Sequence, residues 1–167
     1  MEEFKEIIKI PKERTETLKK FLKEIEEKGK VKIEINDNEV ILIGNSIDVY
    51  ITKNVIIAIG RGFGFKEAVK LFKDYAIYVI PISKNKNTLE RIKGRIIGRN
   101  GKVKKMIEDL TNTKISIYGK TASLIGKGEG LSNAKFALES LIAGKSHSYV
   151  INFLKRKSLR FKEDFYE

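Results

Sequence analysis

Gly94-Arg95-Ile96-Ile97-Gly98-Arg99-Asn100-Gly101-Lys102-Val103 is the stretch on which the reading of this 167-residue chain turns. Two glycines stand three apart, a polar pair lies between them, an aliphatic pair precedes, and a basic amphipathic segment follows. Glycine has no β-carbon, so an anionic ligand can approach its peptide amides closely. A helix starting at Lys102 adds unpaired amides and the positive end of a helix dipole, both of which favour phosphate. Arg99 between the glycines, with Arg95, Lys102 and Lys105 nearby, supplies cations that would displace counterions from a polyanion. Ile96, Ile97, Val103 and Ile107 form the opposite, apolar side. They are expected to pack two helices on a sheet and to leave an aliphatic groove floor beside a strand at Lys114–Tyr118.

Alone, glycines in this spacing also describe an ordinary turn between helices. The charge distribution favours a ligand. Of the net charge of +12, residues 1–83 carry +1 (15 Lys+Arg, 14 Asp+Glu), residues 84–120 carry +8 (11 and 3), and residues 121–167 carry +3 (8 and 5). A solvated surface is rarely so lopsided, and the excess surrounds the glycines.

Other functions are poorly provided for. The absence of cysteine removes disulfides, thiol nucleophiles and thiolate metal sites. The single His147 has no cluster around it and is expected near the start of the last helix without chemistry of its own. The Gly101-Lys102 pair fails as a nucleotide-binding P-loop, with Ile96 where the first glycine belongs and Val103 where Ser or Thr belongs. Gly60 and Gly62 lack the third glycine of a dinucleotide fingerprint, since Phe65 occupies it. No carboxylate pair is set up for catalysis; the acidic residues of Glu24-Ile25-Glu26-Glu27-Lys28 read as a solvated helix face. The N-terminus lacks the apolar core of a signal peptide, and no run reaches the ~18 apolar residues of a membrane span. The expectation is a cytoplasmic protein that is not an enzyme, with no metal and no cofactor.

Working outward, the chain repeats itself at an offset of 82. Lys32-Ile33-Glu34-Ile35 aligns with Lys114-Ile115-Ser116-Ile117, Leu42-Ile43-Gly44 with Leu124-Ile125-Gly126, and Phe21 and Ile25 with Val103 and Ile107. Val31, Ile33 and Ile35 alternate with Lys32 and Glu34, the period of a half-buried strand. Asp37-Asn38 turns into a second strand at 40–43, and Gly119-Lys120 does the same in the second copy. Ile7-Ile8-Lys9-Ile10-Pro11 matches Ile77-Tyr78-Val79-Ile80-Pro81 at an offset of 70, which places twelve additional residues in the second copy's helical segment. Glu16-Thr17-Leu18-Lys19 stands where the second copy has its glycines, so the first copy lacks the loop. Helices are expected to end at Gly60 and Gly144, with a short one around Ala68–Phe72 and a basic one after His147. Phe161, Phe165 and Tyr166 are expected to serve in docking or core packing. These patterns predict an α+β fold of two units, 1–75 and 76–167, each a three-stranded sheet with helices on one face.

The aliphatic pair, the G-x-x-G and the following amphipathic helix resemble the KH family. The order strand, helix, loop, helix, strand, strand, helix is that of its type I variant. Ala58-Ile59-Gly60-Arg61-Gly62-Phe63, Arg91-Ile92-Lys93-Gly94-Arg95-Ile96-Ile97-Gly98, Tyr118-Gly119-Lys120-Thr121 and His147-Ser148 extend the likeness to nearly the whole chain. Together they resemble the archaeal and eukaryotic partner-of-Nob (Dim-two-like) ribosome-assembly proteins. This implies a single-stranded RNA ligand held by Arg91, Lys93, Gly94, Arg95, Ile97, Gly98, Arg99, Asn100, Gly101, Lys102, Lys105, Lys114 and Ile115. It further implies that the RNA is the 3′ region of small-subunit rRNA, bound during ribosome biogenesis. Contact with an assembly endonuclease or an initiation-factor subunit is implied as well. The first unit departs from the family by lacking G-x-x-G and is expected to act as a scaffold or docking surface. The competing reading is a protein–protein adapter for which RNA binding is secondary.

Overall fold

Isoleucine-rich alternation builds two small sheets, and the helices between the strands cover one face of each. The protein is described here by a computed structural model covering residues 2–166, with side chains through residue 159; the expectation for Phe161, Phe165 and Tyr166 lies outside the described side chains. The chain divides into two compact units, residues 1–77 and 78–167.

In the first unit β1 (Phe4–Lys9) leads through α1 (Lys12–Lys20) and α2 (Leu22–Gly29) to the hairpin β2 (Lys32–Asn36) and β3 (Glu39–Gly44). Next come α3 (Ser46–Gly60) and α4 (Phe65–Ala68), the latter continued by a 3-10 turn at Val69–Phe72. The sheet order is β1-β3-β2, with Ile8 opposite Val40 and Ile33 opposite Leu42 in antiparallel register. Ile8, Ile33, Val40 and Leu42 are buried, together with Leu18, Ile25, Val55, Ile56 and Ile59 from the helices.

The second unit repeats the plan. It runs β4 (Ala76–Pro81), α5 (Lys86–Ile97), a 3-10 turn at Arg99–Gly101, α6 (Lys102–Thr111), β5 (Lys114–Tyr118), β6 (Thr121–Gly126), α7 (Gly128–Ile142) and α8 (His147–Tyr166). Its sheet order is β4-β6-β5. The core joins Ile80, Ile92, Ile96, Ile107, Ile115 and Leu124 to Leu138 and Leu141 of α7 and Val150 and Leu154 of α8.

The 82-residue repeat extends further than the sequence alone suggests. β2 and β5, β3 and β6, and α3 and α7 all start and end 82 residues apart. Lys30 and Asn112 close α2 and α6 with the same left-handed residue (φ 55° and 51°). After α3 and α7, Phe63 N–H donates to Ala58 O (3.1 Å) and Lys145 N–H to Ser140 O (2.9 Å), the same bond in both copies. The start of α8 therefore corresponds to α4, which Phe65 opens where His147 opens α8.

The first strands require a correction. Ile10 N–H donates to Asn38 O (3.0 Å) and Ile82 N–H to Lys120 O (2.9 Å), so the equivalent residues lie 72 apart, not 70. The prolines that suggested 70 have different jobs. Pro11 sits at the cap of α1, whereas Pro81 ends the edge strand β4, where a missing donor does no harm. Ten residues, not twelve, separate the copies: two before α5, three within it, three in the interhelical connection and two in α6.

Candidate nucleic-acid interface

Where α1 passes to α2 through the single residue Phe21, α5 passes to α6 through Gly98-Arg99-Asn100-Gly101. Gly98 has φ 73° and ψ 178°, a region that a side chain disfavours. A β-carbon there would also fall 2.8 Å from Val103 Cβ and 2.9 Å from the Val103 amide nitrogen. Gly98 is thus fixed twice, by conformation and by the start of α6 packed against it. Asn100 (φ 56°) and Gly101 (φ 73°) continue the left-handed backbone, and around Gly101 there is open space where a β-carbon would sit. Gly94, one turn before Gly98, is exposed and likewise open. A helix-interior glycine costs about 1 kcal/mol relative to alanine, so its use here favours close approach of a ligand over helix stability.

The cations differ in availability. Arg99, Lys102 and Lys105 are exposed and form no ion pair with any described residue, whereas Lys104 is tied to Glu108 (3.7 Å). Arg91 is exposed and Lys93 half-buried on α5, and Lys114 is exposed at the start of β5. Two expected contact residues are engaged elsewhere. The Arg95 guanidinium donates from Nη2 to Lys145 O (2.6 Å) and from Nη1 to Leu141 O (3.4 Å), capping the C-terminal end of α7. Ile115 is 4% exposed, and its amide donates to Glu108 Oε2 (3.0 Å), so neither its side chain nor its N–H faces a ligand.

The expected apolar floor is redistributed too. Ile96 and Ile107 are fully buried, Ile97 and Val103 half-buried. Met106, Leu110 and Ile117 are further apolar residues packed on the core while still partly open. The sequence reading placed Ile117 on the half-buried strand but missed Met106 and Leu110. The spacing of Val103, Met106 and Leu110 along one side of α6 was the signal that could have found them.

His147 also has a part that sequence did not reveal. Because Gly98 turns the chain out of α5, the Arg95 carbonyl at the helix end is left over, and His147 Nε2–H donates to it (2.9 Å). The carbonyl can only accept, which fixes the histidine tautomer. The N-terminus of α8 is thereby pinned to the tip of the helix that carries the glycine loop. Among the described residues no His/Asp/Glu group could hold a metal ion, and no helix is long and apolar enough to cross a membrane.

A G-x-x-G loop between two helices laid on a sheet of order β4-β6-β5 defines a KH domain of type I. Residues 75–159 match the model of the eukaryotic-type KH domain (KH-domain type I), in the form of the second such domain of PNO1. A KH domain-containing protein of Methanocaldococcus jannaschii is 38% identical over 97% of this chain and 78% of its own length. The Aspergillus fumigatus pre-rRNA-processing protein pno1 is 31% identical over 62% of this chain, which spans 44% of that relative's length. Among solved structures, the chain matches one in the a/eIF2alpha-aDim2p-rRNA complex of Pyrococcus horikoshii, with TM-score 0.87 and 32% identity over 95% of this chain and 96% of that one. A protein of unknown function from Aeropyrum pernix matches with TM-score 0.90 and 27% identity over 98% and 95% of the two chains. The chain belongs to the PNO1/Dim2 family of KH-domain proteins.

Proposed function

We propose that the second unit clamps single-stranded RNA at residues 98–101, and that the RNA is the 3′ region of small-subunit rRNA during ribosome biogenesis. The observation that carries the reading is the loop itself. Left-handed backbone at Gly98, Asn100 and Gly101 is flanked by three uncommitted cations, Arg99, Lys102 and Lys105. A KH loop grips about four nucleotides by their backbone while the unstacked bases are read beside it. Arg99, Lys102 and Lys105 neutralise phosphate; Asn100, Lys93, Arg91 and Lys114 border the path; Gly94 and Gly101 leave room for the sugar–phosphate chain. Arg95 acts from behind, holding α7 to α5. The rRNA identity is supported by the pre-rRNA-processing relatives and by the RNA in the Pyrococcus complex.

The same complex supports an initiation-factor subunit as a protein partner, and we include in the proposal the assembly endonuclease that the family likeness implies. The first unit, a KH-like fold without the loop, is assigned the scaffold or docking role. No group arranged for catalysis stands at the loop, so the proposed activity is binding alone.

The test is fluorescence-anisotropy titration with a short strand copying the 3′ end of small-subunit rRNA, comparing wild type with Arg99→Asp/Asn100→Asp. Both glycines stay, and negative charge enters the clamp. The expected result is at least a tenfold loss, ~1.4 kcal/mol, with an unchanged melting temperature. Equal binding by a folded variant would make the loop a structural turn and hand the RNA to another surface.

A further inference from the structure

Lys145, on the turn between α7 and α8, and Tyr149, in the first turn of α8, lie at a place that the clamp does not use. Every residue from 143 to 149 is exposed. Tyr149 keeps 44% of its surface open, and the Lys145 ammonium sits over its ring, 5.4 Å from the centroid. An exposed tyrosine with a lysine at its ring leaves a large part of its apolar surface open to water at this helix start. It is well suited to a nucleobase, which stacks on the ring while the neighbouring phosphate meets the ammonium.

The position of this pair is set by two bonds already described. Lys145 O accepts from Arg95 Nη2 (2.6 Å), and His147, between Lys145 and Tyr149, donates to Arg95 O (2.9 Å). Carbonyls of a helix point towards its C-terminal end, so His147 meets α5 at the tip from which Gly98 departs. The pair is therefore anchored at the end of the clamp and cannot drift from it without breaking both bonds. Its backbone start is held as well, by Tyr149 N–H donating to Ser146 Oγ (3.1 Å).

We infer that Tyr149 and Lys145 form a stacking subsite for a nucleotide that flanks the clamped tetranucleotide, extending the RNA path from α5 onto the α7–α8 turn. The inference rests on the clamp reading, and its ligand is the same single strand. Its effect is a longer footprint: a strand that reaches the turn binds more tightly than one confined to the loop, by about tenfold if one base stacks.

The experiment uses the full chain and the rRNA 3′-end strand, either intact or with a single abasic nucleotide walked along it. Wild type is compared with Tyr149→Ala, Tyr149→Phe and Lys145→Ala. The expected result is about a tenfold loss for Tyr149→Ala, near-wild-type affinity for Tyr149→Phe, and a smaller loss for Lys145→Ala. The Tyr149→Ala loss should vanish on the strand whose abasic position lies at the subsite. Tyr149→Leu, which keeps apolar bulk without the ring, answers the same question should alanine unsettle the helix. Wild-type affinity for every ring-deleted variant, with Arg99→Asp/Asn100→Asp still impaired, overturns the subsite and leaves the clamp standing. Wild-type affinity for the loop variant overturns the clamp instead, so the two failures are told apart. An equal loss for Tyr149→Phe and Tyr149→Ala also overturns the inference, since it would assign the effect to the hydroxyl.

Discussion

In the first unit, Arg14 donates from Nε to Ile59 O (2.7 Å) and from Nη2 to Phe63 O (2.8 Å). In the second, Arg95 donates to Leu141 O and Lys145 O, the two carbonyls 82 residues further on. One unit carries a G-x-x-G loop and the other does not, yet both use an arginine to cap the same helix end. The shared arginine therefore belongs to the scaffold, whatever its charge suggests beside a polyanion. The proposed function rests on what the halves do not share. Phe21 fills the interhelical corner of the first unit and stacks on Phe65 at 4.2 Å, within 7° of parallel. The second unit opens the equivalent corner into a positively charged loop and meets it with His147 in place of Phe65.

This comparison is most exposed to failure at the arginines. Hydrogen bonds to a charged donor contribute about 1.5–3 kcal/mol each, and two unpaired carbonyls would remain. Arg14→Ala should destabilise the protein by about 3 kcal/mol in denaturant titration, and Arg95→Ala by about half as much, because its bond to Lys145 O is exposed and its bond to Leu141 O is long (3.4 Å). Arg95→Ala, assayed well below its unfolding midpoint, should leave the salt dependence of RNA binding unchanged. A shallower salt slope in that variant would return Arg95 to the list of phosphate contacts.

The glycines come next. Alanine at Gly98 meets both a disfavoured backbone and the Val103 side chain, and about 2 kcal/mol of stability should be lost. At Gly101 the space is open and only the backbone preference opposes a β-carbon, about 1 kcal/mol. If Gly101→Ala proves the more damaging to stability, Gly98 does not pack on α6 as described. For RNA affinity the order should be less marked, because a β-carbon at Gly101 stands in the ligand's way.

The salt dependence sharpens the comparison further. Three uncommitted cations on a single strand give a slope of log affinity against log salt of about −2, and Lys104, paired with Glu108, should add nothing. Lys105→Ala should therefore reduce the slope by about 0.7, while Lys104→Ala leaves it in place. Equal effects at 104 and 105 would show that the Glu108 pair opens on binding.

Much of this architecture could be read in the chain, and the losses have physical causes. Lys32-Ile33-Glu34-Ile35 and Lys114-Ile115-Ser116-Ile117 betray the repeat because strands half-buried on the same core need the same alternation. The continuation through α3 and α7 was hidden because helix starts tolerate different solutions: Asn45 caps α3 with its side chain, whereas Lys127 precedes α7 without doing so. The glycines at 62 and 144 (φ 95° and 98°) were the visible trace of that continuation. In the site, the loop was legible because its glycines answer to local backbone geometry. The roles of Arg95, Ile115 and His147 were not, because each depends on a partner at least seven residues away in sequence.

The smallest expected effect concerns that last residue. His147 makes one exposed hydrogen bond, so His147→Ala should cost no more than about 1 kcal/mol of stability. Its consequence for binding should nonetheless be measurable. Arg95 O is the carbonyl released when Gly98 leaves the helix, and without His147 it is answered by water, which does not hold α8 in place. RNA affinity should fall a few-fold for a strand long enough to reach the α7–α8 turn and hardly at all for one limited to the clamp. His147→Gln keeps a side-chain donor that can reach a carbonyl and should recover most of the loss. His147→Phe, which installs the residue found at this position in the first unit, should not. Recovery by phenylalanine would mean that packing, rather than the hydrogen bond, positions the turn, and the corner of the second unit would then resemble that of the first more closely than its loop suggests.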